Sequence, residues 1–293
     1  MVLMTSSVLT VCAPTRWRNY NLEWGRRTYV MGIVNATPDS FSGDGVQSDE
    51  DWVQRAVTQA LRFVTAGASM IDVGGESTRP QAAHVEVAQE IERVVPVIQA
   101  LRAALPAHVI ISIDTYKVEV AKCALAAGAD LINDIWALQH DPEMADVACQ
   151  YGVPVVLMAN MRGYHKREIV SDITRFLSVA IDHALAAGIA WEHIIIDPGM
   201  GFGMTPEEHL IVLRRLGELH TLGRPILLGT SRKSTLGHVL GGLPPTDLLE
   251  GTAATVALGI AQGVDIVRVH DVHEMARVVK MSDAVVRGTF MTP

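Results

Sequence analysis

Cysteine is scarce in this chain. There are 3 in 293 residues, Cys12, Cys123 and Cys149, an odd number in neither a CxxC nor a zinc-ligand spacing. That pattern argues against a disulfide framework and a cysteine-built metal centre. It points to buried thiols in a reducing compartment, so the expected location is cytoplasmic. Long apolar runs are missing too: 49% of the residues are hydrophobic, yet no run approaches the roughly 18 residues that a membrane-spanning helix needs. Positive charge is in deficit, with 24 basic against 32 acidic residues and a formal net charge of −8. The global field of such a chain repels nucleic acid and anionic membrane, so neither is an expected partner. Any anionic ligand must be held by local groups. No Ser/Pro/Gly-rich linker or run of like charge divides the sequence, and one large core is expected.

What is there is repetition. From residue 29, short apolar runs alternate with longer amphipathic ones, giving eight candidate strands at 29–35, 70–73, 109–114, 131–135, 155–158, 194–197, 226–230 and 266–270. Between them, stretches such as "EDWVQRAVTQALRFVTAGA" and "KVEVAKCALAAGA" repeat apolar residues at three and four and close on Gly, as helices do. Eight such units predict an α/β fold, a TIM-type (β/α)8 barrel over residues 29–293 rather than an open sheet. Ahead of it, residues 1–28 predict a hairpin or edge segment packed on the bottom of the barrel. The opening "MVLMTSSVLTVCAPT" lacks a basic n-region and has Val11 where a lipoprotein cleavage site wants a small residue, so export is not expected.

Active sites of such barrels lie at the carboxyl ends of the strands. Here those ends carry Asn35, the run "GGESTRP", Asp114, Asn133 with Asp134, Asp197, Ser231 with Lys233, and Arg268 with His270. A single Asp or Asn there can be a turn former or a helix cap, but Arg, Lys and His at the same rim are not explained that way. Arg268 and His270 are two apart and share one face of their strand. Facing inward they would cradle a phosphate or pyrophosphate; the alternative is a rim salt bridge to an Asp. In "GTSRKS" a helix opening near Ser231 would aim its free N–H groups at the mouth beside Arg232 and Lys233, although an isolated "SRKS" also fits a capped helix with a solvated basic turn. "IVNATPDSFSGDG" and "DVGGESTRP" have the composition of mobile loops that close over a ligand. Asn35 offers a neutral oxygen suited to Mg²⁺ that keeps most of its shell from phosphate and water, or else forms an Asx turn. Asp114, Asn133 and Asp197 suit the donors of an amino-pyrimidinone heterocycle.

In order, "MGIVNATPDSFSGDG", "GASMIDVGGESTRP", "SIDT", "LINDI", "IIIDPGMGFG", "GTSRKS" and "RVHDV" resemble the dihydropteroate synthase family. The resemblance implies a TIM barrel that uses Mg²⁺ and condenses 6-hydroxymethyl-7,8-dihydropterin pyrophosphate with 4-aminobenzoate. The products are 7,8-dihydropteroate, for folate synthesis, and pyrophosphate. It assigns Asp114, Asn133, Asp197 and Lys233 to the pterin, with Phe202 and Met158 lining its slot. Thr78, Arg268 and His270 would grip the pyrophosphate, Asn35 would ligate Mg²⁺, and Phe41, Arg79, Pro80 and Ser234 would form the aminobenzoate site. Lys233, Arg268 and Asp114 are the expected catalytic residues. A homodimer through late helices is also implied.

The chain departs from the family pattern at Ala159, Met204, His209 and Gln81, where His, Lys, Asn and Gly are common. Two other readings stay open: a pterin-dependent methyltransferase of the corrinoid type, against which "GGESTRP" and "SRKS" argue, and a pterin-binding barrel that has lost turnover.

Overall fold

The computed structural model describes residues 12–36, 49–77 and 84–289. It begins with an antiparallel hairpin, β1 (Thr15–Trp17) and β2 (Tyr20–Leu22). Eight parallel strands follow: β3 (Tyr29–Asn35), β4 (Met70–Gly74), β5 (Ile110–Asp114), β6 (Leu131–Asp134), β7 (Val155–Met158), β8 (Ile194–Asp197), β9 (Leu227–Leu228) and β10 (Ile266–Val269). Their spatial order is β8-β7-β6-β5-β4-β3-β10-β9. The ring closes through a single bridge between Ile196 of β8 and Ile226 beside β9. Near-continuous Val, Ile and Leu in these strands, almost all buried, is what a sheet covered on both faces requires.

Nine helices among the described residues cover the strands: α1 (Asp49–Ala66), α2 (Val87–Ala104), α3 (Val118–Ala127), α4 (Glu143–Tyr151), α5 (Ile169–Ala186), α6 (Pro206–Arg214), α7 (Ser234–Val239), α8 (Leu249–Ala261) and α9 (Val272–Arg287). The Gly closures seen in the sequence are left-handed caps: Gly128 after α3 has φ 116° and Gly152 after α4 has φ 61°, a region where a Cβ is costly. None of the helices among the described residues is long and apolar enough to cross a membrane.

The hairpin sits on the barrel floor; of the segment 1–28, residues 1–11 lie outside the described residues. Trp17 Nε1 donates to the Asp130 carbonyl at 3.0 Å, just before β6, and Trp24 Nε1 donates to Thr15 Oγ1 at 3.0 Å. The expected strands are all present, with one material change of bounds. The run 226–230 yields only Leu227–Leu228 as strand, and the next helix starts at Ser234 rather than near Ser231. Between them lies a tight turn in which Arg232 has φ 57°.

Candidate active site

Parallel strands present their carboxyl ends at one mouth, and alternation decides which side chains enter it. Arg268 on β10 points inward. Its Nε donates to Asp72 Oδ2 at 2.6 Å and one Nη donates to Asp114 Oδ2 at 2.6 Å. Asn133 Nδ2 donates to the same Asp72 oxygen at 3.1 Å. Four strands thus meet in one network of Asp72, Asp114, Asn133 and Arg268. The other Asp72 oxygen, Oδ1, is buried and has no hydrogen-bond partner among the described residues. Burial, with the Arg268 guanidinium opposing it, raises the Asp114 carboxyl to about 7.

Beside this network stands a second group. Asp197 ends β8, is 7% exposed, and accepts the Gly199 N–H at 2.7 Å on Oδ1. Its carboxyl is pushed up to about 6, mainly by burial. Lys233, at the N-cap of α7, holds its Nζ 4.8 Å from the centre of the Phe202 ring. Burial and then Arg268 depress its ammonium to about 8. Phe202 packs with Met158 and Ile135 in a small apolar cluster separate from the main core, flanked by Tyr116 and Trp136. The mouth therefore holds an apolar slot with carboxylates, an amide and cations around it, which is the chemistry of a planar, polar-edged ring.

The loop carrying Phe202 is glycine-rich for a steric reason. Gly199 has φ 75°, and a Cβ there would lie 1.8 Å from the Ala159 carbonyl oxygen; at Gly203, φ 76°, it would lie 2.4 Å from the Arg162 nitrogen. Met161 N donates to the Phe202 carbonyl at 3.1 Å, so this loop lies flat on the segment after β7. Arg162 stacks on Phe202 at 4.8 Å.

At the rim, Ser231 Oγ lies 3.0 Å from His270 Nδ1 and accepts the His270 backbone N–H at 3.2 Å. Arg232 meets Asp271 through two nitrogens, one at 3.1 Å and the other at 2.5 Å. Ser234 is the exposed first residue of α7. Asn35 is exposed at the end of β3.

The structure brings Asp114, Asn133, Asp197, Lys233, Phe202, Met158 and Arg268 into one mouth. The rim salt bridge weighed for Arg268 exists, with two carboxylates rather than one, and it faces inward. Asp134 does not join: it accepts the backbone N–H groups of Trp136 at 2.8 Å and Leu138 at 2.7 Å. Phe41, Thr78, Arg79, Pro80 and Gln81 lie outside the described residues.

Two residues escaped the sequence reading. Asp72 sits inside "MIDVG", and its signal was a lone charge within a strand otherwise apolar and buried. Arg162 follows β7 in "ANMRG" and carried no comparable mark. No group of three or more His, Cys, Asp or Glu among the described residues is placed to hold a metal ion.

Comparison with known proteins bears on this geometry. A family described as "Pterin binding enzyme" matches residues 31–270. The dihydropteroate synthase of Bacillus subtilis is 47% identical over 263 residues, covering 90% of each chain. Among solved structures, the dihydropteroate synthase of Clostridium difficile in the presence of pteroic acid superimposes with a TM-score of 0.85 at 48% identity, over 90% of this chain and 98% of that one. The Xanthomonas albilineans enzyme with 4-aminobenzoic acid gives 0.83 at 41% identity, over 88% of this chain and 93% of that one.

Proposed function

Because the chain belongs to the dihydropteroate synthase family, we propose that the residues gathered at its mouth carry out that family's reaction in the roles below. The protein is a transferase of folate biosynthesis that joins 6-hydroxymethyl-7,8-dihydropterin pyrophosphate to 4-aminobenzoate and releases pyrophosphate. The roles rest above all on the convergence of Asp114, Asn133, Asp197, Lys233 and Arg268, from five different strand ends, around the Phe202 and Met158 slot.

The pterin lies in that slot. Asp197 accepts from its amino-pyrimidinone edge, while Asn133 and Asp114 read the remaining donors and acceptors. Lys233 donates to a ring acceptor from above Phe202. The second Asp72 oxygen, without a hydrogen-bond partner among the described residues, belongs to the same network, and a ligand donor reaching it would complete its hydrogen bonding. The C–O bond to pyrophosphate breaks first, leaving a methylene cation delocalised into the dihydropterin. The neutral amine of 4-aminobenzoate then attacks that carbon, forms the C–N bond and gives up one proton. Arg268, with His270 and Thr78, stabilises charge on the departing oxygens. Ser234, with Phe41, Arg79 and Pro80, receives the aminobenzoate. Lys233 and Ser234 are adjacent, so one turn serves both substrates.

Asn35 suits Mg²⁺: a single neutral oxygen at an open strand end fits a cation that takes the rest of its shell from pyrophosphate and water. Bound there, the ion would supply Lewis-acid neutralisation of the leaving group. A homodimer is supported by Leu210, Val239, Leu240, Leu243 and Leu258, exposed on α6, the α7 region and α8, and sedimentation measures it. A cytoplasmic location accords with three cysteines, all free.

The test is pyrophosphate release from the pterin substrate with Mg²⁺, with and without 4-aminobenzoate, alongside dihydropteroate formation. Release coupled to product is the expected result. Tight pterin binding without product would overturn it and favour a barrel that has lost turnover. An arylsulfonamide, similar in shape to 4-aminobenzoate, is expected to compete with that substrate alone.

A further inference from the structure

We infer that His209, on α6 and outside the mouth, is a positioning residue that holds the two substrate sites in register. The inference rests on the reaction assigned above.

His209 is 2% exposed, and both of its ring nitrogens are engaged. The Gly201 backbone N–H points at Nε2 across 2.7 Å. A backbone amide can only donate, so Nε2 carries the lone pair. The ring proton then sits on Nδ1, which donates to Thr235 Oγ1. Burial, and next the positive charge of Lys233, hold the imidazole neutral by lowering it to about 4. The tautomer is therefore fixed by what the two walls offer.

Those walls belong to different substrates. Gly201 precedes Phe202, which lines the pterin slot, and a Cβ on Gly201 would come within 3.0 Å of Lys233 Nζ. The loop therefore packs directly against Lys233. Thr235 follows Ser234 in the first turn of α7 and is 3% exposed. One imidazole thus bridges the pterin wall and the turn that carries Lys233 and Ser234.

The bridge is itself braced. Thr205 and Glu208 form a capping box at the start of α6, and Lys166 links the Gly203 carbonyl, at 2.6 Å, to Glu208. Slack at His209 would leave the deep pterin contacts of Asp114, Asn133 and Asp197 in place. It would loosen the distance from the pterin methylene to the incoming amine, and misplacements of about 1 Å cost on the order of a hundredfold in such reactions.

The experiment compares His209→Phe, which keeps an aromatic ring and removes both hydrogen bonds, with His209→Gln, which retains an amide acceptor and donor, and with Thr235→Val. In His209→Phe, kcat/KM for 4-aminobenzoate is expected to fall about 10- to 100-fold, while the pterin dissociation constant from calorimetry stays within about threefold. His209→Gln should recover most of the loss, and Thr235→Val should fall between. The imidazole ¹⁵N shifts of the ligand-free protein at neutral pH should report the Nδ1–H tautomer.

Wild-type kinetics in His209→Phe would overturn the inference, as would the Nε2–H tautomer. Losses that follow the fall in melting temperature and are not rescued by Gln would show a packing role only, and would overturn it as well. A wild-type protein that makes no dihydropteroate would instead sink the assigned reaction, leaving the tautomer measurement to judge the geometry by itself.

Discussion

At the floor of the barrel, Asp130 accepts hydrogen bonds from Arg18 at 2.8 Å, Arg102 at 2.5 Å, Tyr20 at 2.9 Å and the Ile111 N–H at 3.0 Å. At the mouth, Asp72 is as deeply buried, yet Arg268 and Asn133 share one of its oxygens and the other has no partner among the described residues. Both are aspartates that accept hydrogen bonds from arginine. The difference is completion. A saturated carboxylate locks hairpin, helix and strand together, whereas an incomplete one leaves bonding capacity for a ligand. Around Asp72 the titrating groups lie away from their ordinary ranges, with Asp114 and Asp197 raised and Lys233 lowered, the mark of a site held ready at some cost to the fold.

Substitutions at the two ends should separate these uses. The largest effect is expected from Lys233→Ala or Asp197→Ala: turnover should drop by about a thousandfold or more with unchanged circular dichroism. Normal turnover in both would break the site assignment. Next, Asp130→Ala should cost about 2–4 kcal/mol of unfolding free energy in denaturant titrations, because two part-exposed arginines lose a buried partner. Its activity per folded molecule should match wild type. If activity fell with stability intact, floor and mouth would not be independent.

Asp197→Asn should do the reverse and stabilise the fold at pH 7. Its folded-state carboxyl is raised to about 6, so the folded chain holds a proton more tightly than the unfolded one and ionisation at neutral pH costs stability. The gain should be about 1–3 kcal/mol, and it should vanish below about pH 4, where both states are protonated. Pterin binding should be lost in the same variant. The smallest effect is in pH dependence: calorimetric affinity for the pterin should fall by up to about tenfold per unit below about pH 7, as Asp114 and then Asp197 protonate, and weaken again above about pH 8, as Lys233 loses its charge. A flat profile across that window would break the roles of all three groups.

Much of this was legible in the sequence because burial on both faces writes strands as apolar runs and strand ends as polar punctuation. Asp114, Asn133, Asp197 and Arg268 were found by that punctuation. Asp72 was not, since it lies mid-strand two residues before the end of β4, where alternation alone turns it inward. Asp134 misled in the opposite sense, because the residue after an inward one faces away. The turn at Ser231–Lys233 looked helical from its hydroxyls, yet Arg232 adopts a left-handed backbone conformation, locally unfavourable for a residue with a Cβ; the clamp to Asp271 is its visible support. The bridging role of His209 depends on two residues 8 positions back and 26 positions ahead, a pairing that no local pattern carries.

The lone bridge between Ile196 and Ile226 makes the ring of strands a band with a clasp. Asp197 stands on one side of that clasp and the turn bearing Lys233 on the other, so breathing that opens the barrel is expected first between these two groups. The amides flanking the clasp should exchange with deuterium ahead of those of β4, which is paired along its length with β3 and β5. A molecule lodged across the gap would act as the missing stitches and slow that exchange.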